Sequence, residues 1–135
     1  MFDTKFVVVV REDLAAWQKL NVTAFLSTGV TASKPELIGE TYQDAAGNVY
    51  NPMSVQPIIV LTANADTIKK IHHRTLDRNV PSSLYIEEMF STGHDSANRN
   101  VFAKHSPDDA KVVGLAFHTD KKIADKISKG AKMHG

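Results

Sequence analysis

Residues 7–10 are four consecutive valines preceded by Phe6, with no polar residue among them. An unbroken apolar run of β-branched residues describes a strand covered on both faces, as in the interior of a sheet. The period then changes. Leu14, Trp17, Leu20 and Ala24 recur at helical spacing, Val22, Phe25 and Leu26 widen the stripe, and Asp13 is placed to cap the helix at its start. Gly29 is the expected stop. Residues 31–40 read as a loop, and 41–44 and 48–50 flank Ala45-Ala46-Gly47 in the pattern of a small hairpin.

Residues 56–61 form a second candidate strand, with Pro57 at its entrance, where a missing N–H is tolerated. Asn64 is placed to cap a helix with Ala65, Ile68, Ile71 and Leu76 on its apolar face. A short strand at 84–86 follows, then a helix over 91–104 and a strand over 112–117. A basic helix over about 120–132 closes the chain. This alternation predicts a single α/β domain over residues 1–135, a three-layer α/β/α arrangement around a mixed, mostly parallel central sheet. Ligands in such folds gather beyond the carboxyl ends of the strands, which directs attention to residues 11–13, 62–64 and 87–95.

Composition narrows the choice of chemistry. The 135 residues fit one domain, and 42% hydrophobic with 23% charged residues is an ordinary globular mixture. A formal charge of +1 is too balanced for the chain as a whole to be steered onto nucleic acid or an anionic membrane. The absence of cysteine removes disulfides, thiolate nucleophiles and Cys-ligated zinc. The first apolar run is too short to span a membrane and lacks a small-residue cleavage site, so a cytoplasmic protein with no membrane association is expected. His72 and His73 are adjacent and point apart, and no His-Glu-x-x-His spacing occurs, so no metal site is expected. Glycine-rich phosphate loops and serine nucleophile elbows are missing too, and no cofactor is expected.

The richest constellation is His94, Asp95, Asn98 and Arg99. On a helix, His94 and Asn98 pair at i,i+4, as do Asp95 and Arg99. His94 suits proton transfer near neutral pH, with Asp95 or Asn98 orienting it or a ligand, which makes His94 and Asp95 the catalytic candidates. The plain alternative is an ordinary ion pair beside a histidine packed on Phe90, Ala97 and Val101. Gln18 and Asn21, three apart, offer donors and acceptors to a planar polar ligand or tie the helix to a loop. Arg11 is a candidate bidentate clamp for a phosphate or carboxylate. In the tail, Lys121, Lys122, Lys126, Lys129 and Lys132 are opposed only by Asp120 and Asp125, so one basic face is a candidate for RNA. A solvated helix end would look the same.

Val8-Val9-Val10-Arg11-Glu12-Asp13-Leu14 leading into a helix resembles the opening of the second class of peptidyl-tRNA hydrolases. A resemblance over nearly the whole chain is to an uncharacterised bacterial family, the domain of unknown function numbered two thousand, similar in fold to those hydrolases. It rests on residues 9–14, on Trp17-Gln18-Lys19-Leu20-Asn21, on Gly39-Glu40-Thr41-Tyr42-Gln43-Asp44, and on Gly93-His94-Asp95-Ser96-Ala97-Asn98-Arg99. The resemblance implies a peptidyl-tRNA hydrolase II-like fold. It does not bring the hydrolase residues with it, because a gapless alignment puts Leu20 at the lysine position and Ala24 at the glutamine position. Two readings stay open: a binding module for a small polar or anionic ligand, with Arg11, Asp13, Gln18, Asn21, Asn98 and Arg99 as binding residues, and a hydrolase-like enzyme acting on a nucleic-acid-linked or small polar substrate. The oligomeric state is open as well, a homo-oligomer included.

Overall fold

The computed structural model describes residues 2–133, so the outermost positions of the expected 1–135 domain lie outside the described residues. Strand β1 (Thr4–Arg11) leads into helix α1 (Ala16–Ser33). A 3-10 turn at Pro35–Leu37 and a hairpin of β2 (Tyr42–Gln43) and β3 (Val49–Tyr50) come next. They are followed by β4 (Ile58–Ala63), α2 (Ala65–Asp77), β5 (Ser82–Ile86), a second 3-10 turn (Glu87–Ser91), α3 (Asp95–Phe102), β6 (Val112–Asp120), α4 (Lys121–Ile127) and β7 (Lys132–Met133).

Five strands form the main sheet in the order β5-β6-β1-β4-β7, which puts the valine run at its centre, as its lack of a solvent face requires. The sheet is mixed but not mostly parallel. Only β1 and β4 pair in parallel, while β6 lies antiparallel between β1 and β5, and β7 lies antiparallel to β4. Two reversals restore direction, so β5 runs the same way as β1 and β4. The carboxyl ends of all three open on one edge of the sheet.

Alternation along β1 divides the core. Phe6, Val8 and Val10 meet Val22, Leu26 and Val30 of α1 on one face, and Val7 and Val9 meet Ile68 and Ile71 of α2 and Ala124 and Ile127 of α4 on the other. This is the expected three-layer arrangement. Asn64 caps α2 as expected, accepting from the Thr67 N–H at 2.8 Å.

Helix α1 departs from its expected limits. It passes through Gly29 to Ser33, because glycine is there for packing: a Cβ at this position would collide with the Ser83 hydroxyl on β5. Its buried residues are Val22, Leu26 and Val30, so Trp17, Leu20 and Phe25 of the expected stripe lie on exposed flanks. The terminal basic helix is shorter than expected. It ends at Ile127, Gly130 turns the chain at φ +98°, and Lys132 enters β7, so the five lysines do not share one helical face. The expected helix over 91–104 is confined to Asp95–Phe102. Among the described residues no helix is long and apolar enough to cross a membrane.

Candidate functional site

Helix α1 leaves the carboxyl end of β1, and the chain leaving β5 at the same sheet edge turns through Glu87–Ser91 into α3. Between α1 and this segment lies an open cleft of about 820 Å³. Its walls are aromatic. Trp17 meets Phe90 edge-on with ring centroids 6.1 Å apart, Phe90 meets Tyr85 at 5.1 Å, and Tyr85 meets Phe25 at 6.1 Å, so four rings form a continuous floor from one side of α1 to β5. Phe102 of α3 closes the far side.

Tyr85 is the decisive residue. Only 5% of it is exposed, yet among the described residues its hydroxyl has no hydrogen-bond partner, and burial raises its pKa so that the group stays a neutral donor. The hydroxyl is not sealed from solvent, and on the floor of the cleft it is available to a bound molecule. Nothing in the local sequence singled it out, since Leu84-Tyr85-Ile86 reads only as a short strand. Its alternation, with Tyr85 turned to the α1 face, was the available signal.

The polar groups sit above this floor. His94 caps α3 by accepting from the Ala97 N–H at Nδ1, 3.2 Å away, so its remaining ring proton is on Nε2. The Thr92 hydroxyl lies against both the Met89 carbonyl, at 2.8 Å, and the Asn98 amide. It has one proton to give. That proton is shared between two acceptors, the Met89 carbonyl and Asn98 Oδ1, and the Asn98 Nδ2 group is left to donate to a bound molecule. Asp95 and Arg99 pair at 2.8 Å on the exposed side of α3.

The structure thus brings Asn21, His94, Asp95, Asn98 and Arg99 together around one cleft, and it separates the other candidates from it. Gln18 is committed to α1, its Oε1 accepting from the Ala15 N–H at 2.9 Å; Ala15, not Asp13, is the N-cap. Asp13 instead accepts from Arg11 Nε at 2.6 Å, and Arg11 Nη1 reaches Glu87 at 3.2 Å. Two carboxylates on one guanidinium leave no net positive charge for an anion clamp, so Arg11 fastens the start of α1 to the end of β5 instead. The candidate clamp is a structural tie.

A second polar cluster lies at the opposite end of β1. Lys34 Nζ donates to the His118 carbonyl at 2.7 Å and lies 3.0 Å from its Nδ1, while His118 Nε2 lies 3.0 Å from Thr4 Oγ1 and 3.1 Å from Gln56 Oε1. Desolvation lowers the His118 pKa, as does the Lys34 charge, and desolvation lowers that of His72 with help from His73. The fold therefore resists protonation of both rings, while the unfolded chain takes up protons near the ordinary value of 6.5. Their contribution to stability is complete above that pH and lost as pH falls through it toward the folded values. The thermal midpoint is expected to fall between pH 7.5 and pH 5, and to fall less in the His72→Asn, His118→Asn double variant, as differential scanning fluorimetry would show. An equal fall in both would place the acid sensitivity elsewhere.

Among the described residues no group of three or more His, Cys, Asp or Glu is disposed to hold a metal ion. The sequence model of a family described as a protein of unknown function, DUF2000, matches residues 4–135. The chain belongs to the DUF2000 family. A solved structure, that of the protein of unknown function Atu0240 from Agrobacterium tumefaciens strain C58, is 61% identical, with each chain covered over 100% of its length and a TM-score of 0.98. No curated protein matches the chain. The architecture of this DUF2000 member is accordingly shared in full with a solved relative, and its chemistry has to be read from the cleft itself.

Proposed function

We propose that the protein is a noncatalytic binding module that takes a small, planar, polar molecule into the aromatic cleft. The observation that carries this reading is Tyr85, a buried ring in a floor of four aromatic side chains with an unpartnered hydroxyl. Aromatic walls favour a flat ligand body, and Tyr85, Asn21 and Asn98 supply a small number of donors and acceptors that fix its orientation. The ligand is polar but uncharged, because Arg99 is paired with Asp95 and Arg11 with Asp13 and Glu87. Relationship to the second class of peptidyl-tRNA hydrolases is part of the proposal for the fold. It does not extend to the reaction: Leu20, at the position of the hydrolase lysine, lines a groove on the other flank of α1 from the cleft.

Trp17 is the single tryptophan of the chain and sits on the cleft wall, so its fluorescence reports occupancy. Titration with uncharged heterocycles of nucleobase size is expected to perturb Trp17 emission saturably and raise the thermal midpoint, with phosphorylated counterparts binding at least tenfold more weakly. Preference for the phosphorylated members would defeat the uncharged-ligand reading. A panel with no effect on Trp17, or turnover of peptidyl-tRNA at enzyme levels too low for a contaminant, would defeat the binding-module reading.

A further inference from the structure

Helix α1 has one charged residue, Lys19, in its 18 positions, and apolar side chains on every side. A helix of that composition is ordinarily covered all round. Here only the stripe of Val22, Leu26 and Val30 is buried, and α1 packs on β1, β5 and β6. One flank belongs to the aromatic cleft. The other is open: Leu20, Ala16 and Ala24 of α1 and Val60 of β4 wall an apolar groove of about 520 Å³, with Lys19 at its rim and Val10 at its base. The register of β4 against β1 turns Ile58 and Val60 to the same face as Phe6 and Val8, so this strip of sheet is covered only in part, Val60 half-buried beside α1 and Ile58 exposed.

A second unpartnered element lies beside it in sequence. Residues 37–55 form a two-stranded ribbon, tied at its base by Val55 N–H to the Leu37 carbonyl at 2.8 Å and by Gly39 N–H to the Met53 carbonyl at 3.0 Å, and continued by β2 and β3. A free-standing two-stranded ribbon is marginal in water. This one is held at its tip by Asp44, whose carboxylate accepts from the Ala46 and Asn48 N–H groups, the Asn48 amide and the Tyr50 hydroxyl, and these bonds lower its pKa to about 2. Ordered in this way, the ribbon displays Tyr42, Val49, Tyr50 and Met53, each at least half exposed.

We infer that the groove of one protomer receives the ribbon of another, in a two-fold dimer. The ribbon begins just after the carboxyl end of α1, and the groove lies along residues 16–24 of its amino-terminal half. A two-fold axis that sets the two α1 helices antiparallel therefore carries each ribbon to the other protomer's groove, and the exchange closes without leaving a free end. Leu20 and Ile58 with the four ribbon residues expose on the order of 600 Å² of apolar surface, at the upper end for a monomer and most of the ~800 Å² per partner of a standard interface. Charge agrees. The ribbon carries Glu40 and Asp44 and no lysine or arginine, which suits Lys19 at the groove and disfavours nucleic acid or an anionic membrane as the occupant.

Light scattering coupled to size exclusion, on the full chain at about 100 μM, is expected to give twice the 14.8 kDa of one chain. Leu20→Glu in the groove and Val49→Glu on the ribbon should each weaken the dimer at least 100-fold. Both side chains are more than 60% exposed in the protomer, so the circular dichroism and the thermal midpoint measured in dilute solution should stay those of the wild-type monomer. A wild-type protein that remains monomeric at that concentration, with or without binding to anionic vesicles, overturns the inference. So does a dimer that survives both substitutions.

Discussion

Gly114→Ala is expected to destabilise the protein by roughly 2–3 kcal/mol and to lower its thermal midpoint by about 8–12 °C. Gly114 lies on β6 opposite Val10, beneath Val22 and Leu26 of α1. A Cβ there would stand 2.5 Å from Val22 Cγ1 and 3.1 Å from Leu26 Cδ1. Both are buried side chains in the middle of the core, and neither has space to retreat. Because Gly114 does not need a positive φ, alanine would also stiffen the unfolded chain, a gain of only ~0.4–1 kcal/mol. Overpacking wins. Chemical denaturation would check it: a midpoint equal to or above wild type would mean that α1 can lift off the sheet at little cost, and that the contact between them is loose.

Substitutions at Tyr85 separate the ring from the hydroxyl. Tyr85→Ala should cost about 3–5 kcal/mol, since it empties a buried aromatic site that touches both Phe25 and Phe90. Tyr85→Phe should change stability by less than about 1 kcal/mol or raise it, because the group removed has no partner to lose. Affinity for the heterocycle that perturbs Trp17 should nevertheless fall about tenfold, the worth of one hydrogen bond of roughly 1–1.5 kcal/mol. Paired calorimetric titrations and melts of the two variants give the answer. If Tyr85→Phe destabilises the fold and spares binding, the hydroxyl serves a buried structural bond and not a ligand.

What the sequence disclosed depended on the range of the interaction involved. The central strand was legible because four valines state their burial without reference to anything else. The Asn64 cap was equally local, its partner lying three residues on. Gly29 looked like a helix stop because glycine is a poor helix former, and the reason it stands mid-helix is Ser83, 54 positions away. Asp13 had the right residue type for a cap, but Arg11 claims it, in an arrangement that Glu87 completes from the far side of the chain. Misplacement of Trp17, Leu20 and Phe25 had another cause: apolar periodicity reports which side chains avoid water, and not whether the protomer's own core is what covers them. In the site, the cluster of His94, Asp95, Asn98 and Arg99 was visible as helical spacing, and its meeting with Asn21 followed once β5 ran parallel to β1. Tyr85 stayed hidden because an unsatisfied hydroxyl is a property of surroundings.

The position of β6 also governs the order in which the protein can come together. The valine strand is made first and needs neighbours on both edges, but one of those neighbours, β6, begins at Val112, more than a hundred residues later. Until then β1 can pair only with β4, and its other edge, a row of unpaired backbone N–H and C=O groups between β-branched side chains, is open to any passing strand. Contacts of such long sequence separation close slowly. During synthesis the chain therefore holds its most aggregation-prone segment unfinished until nearly the last strand has emerged, and arrival of β6 both completes the sheet and seals that edge.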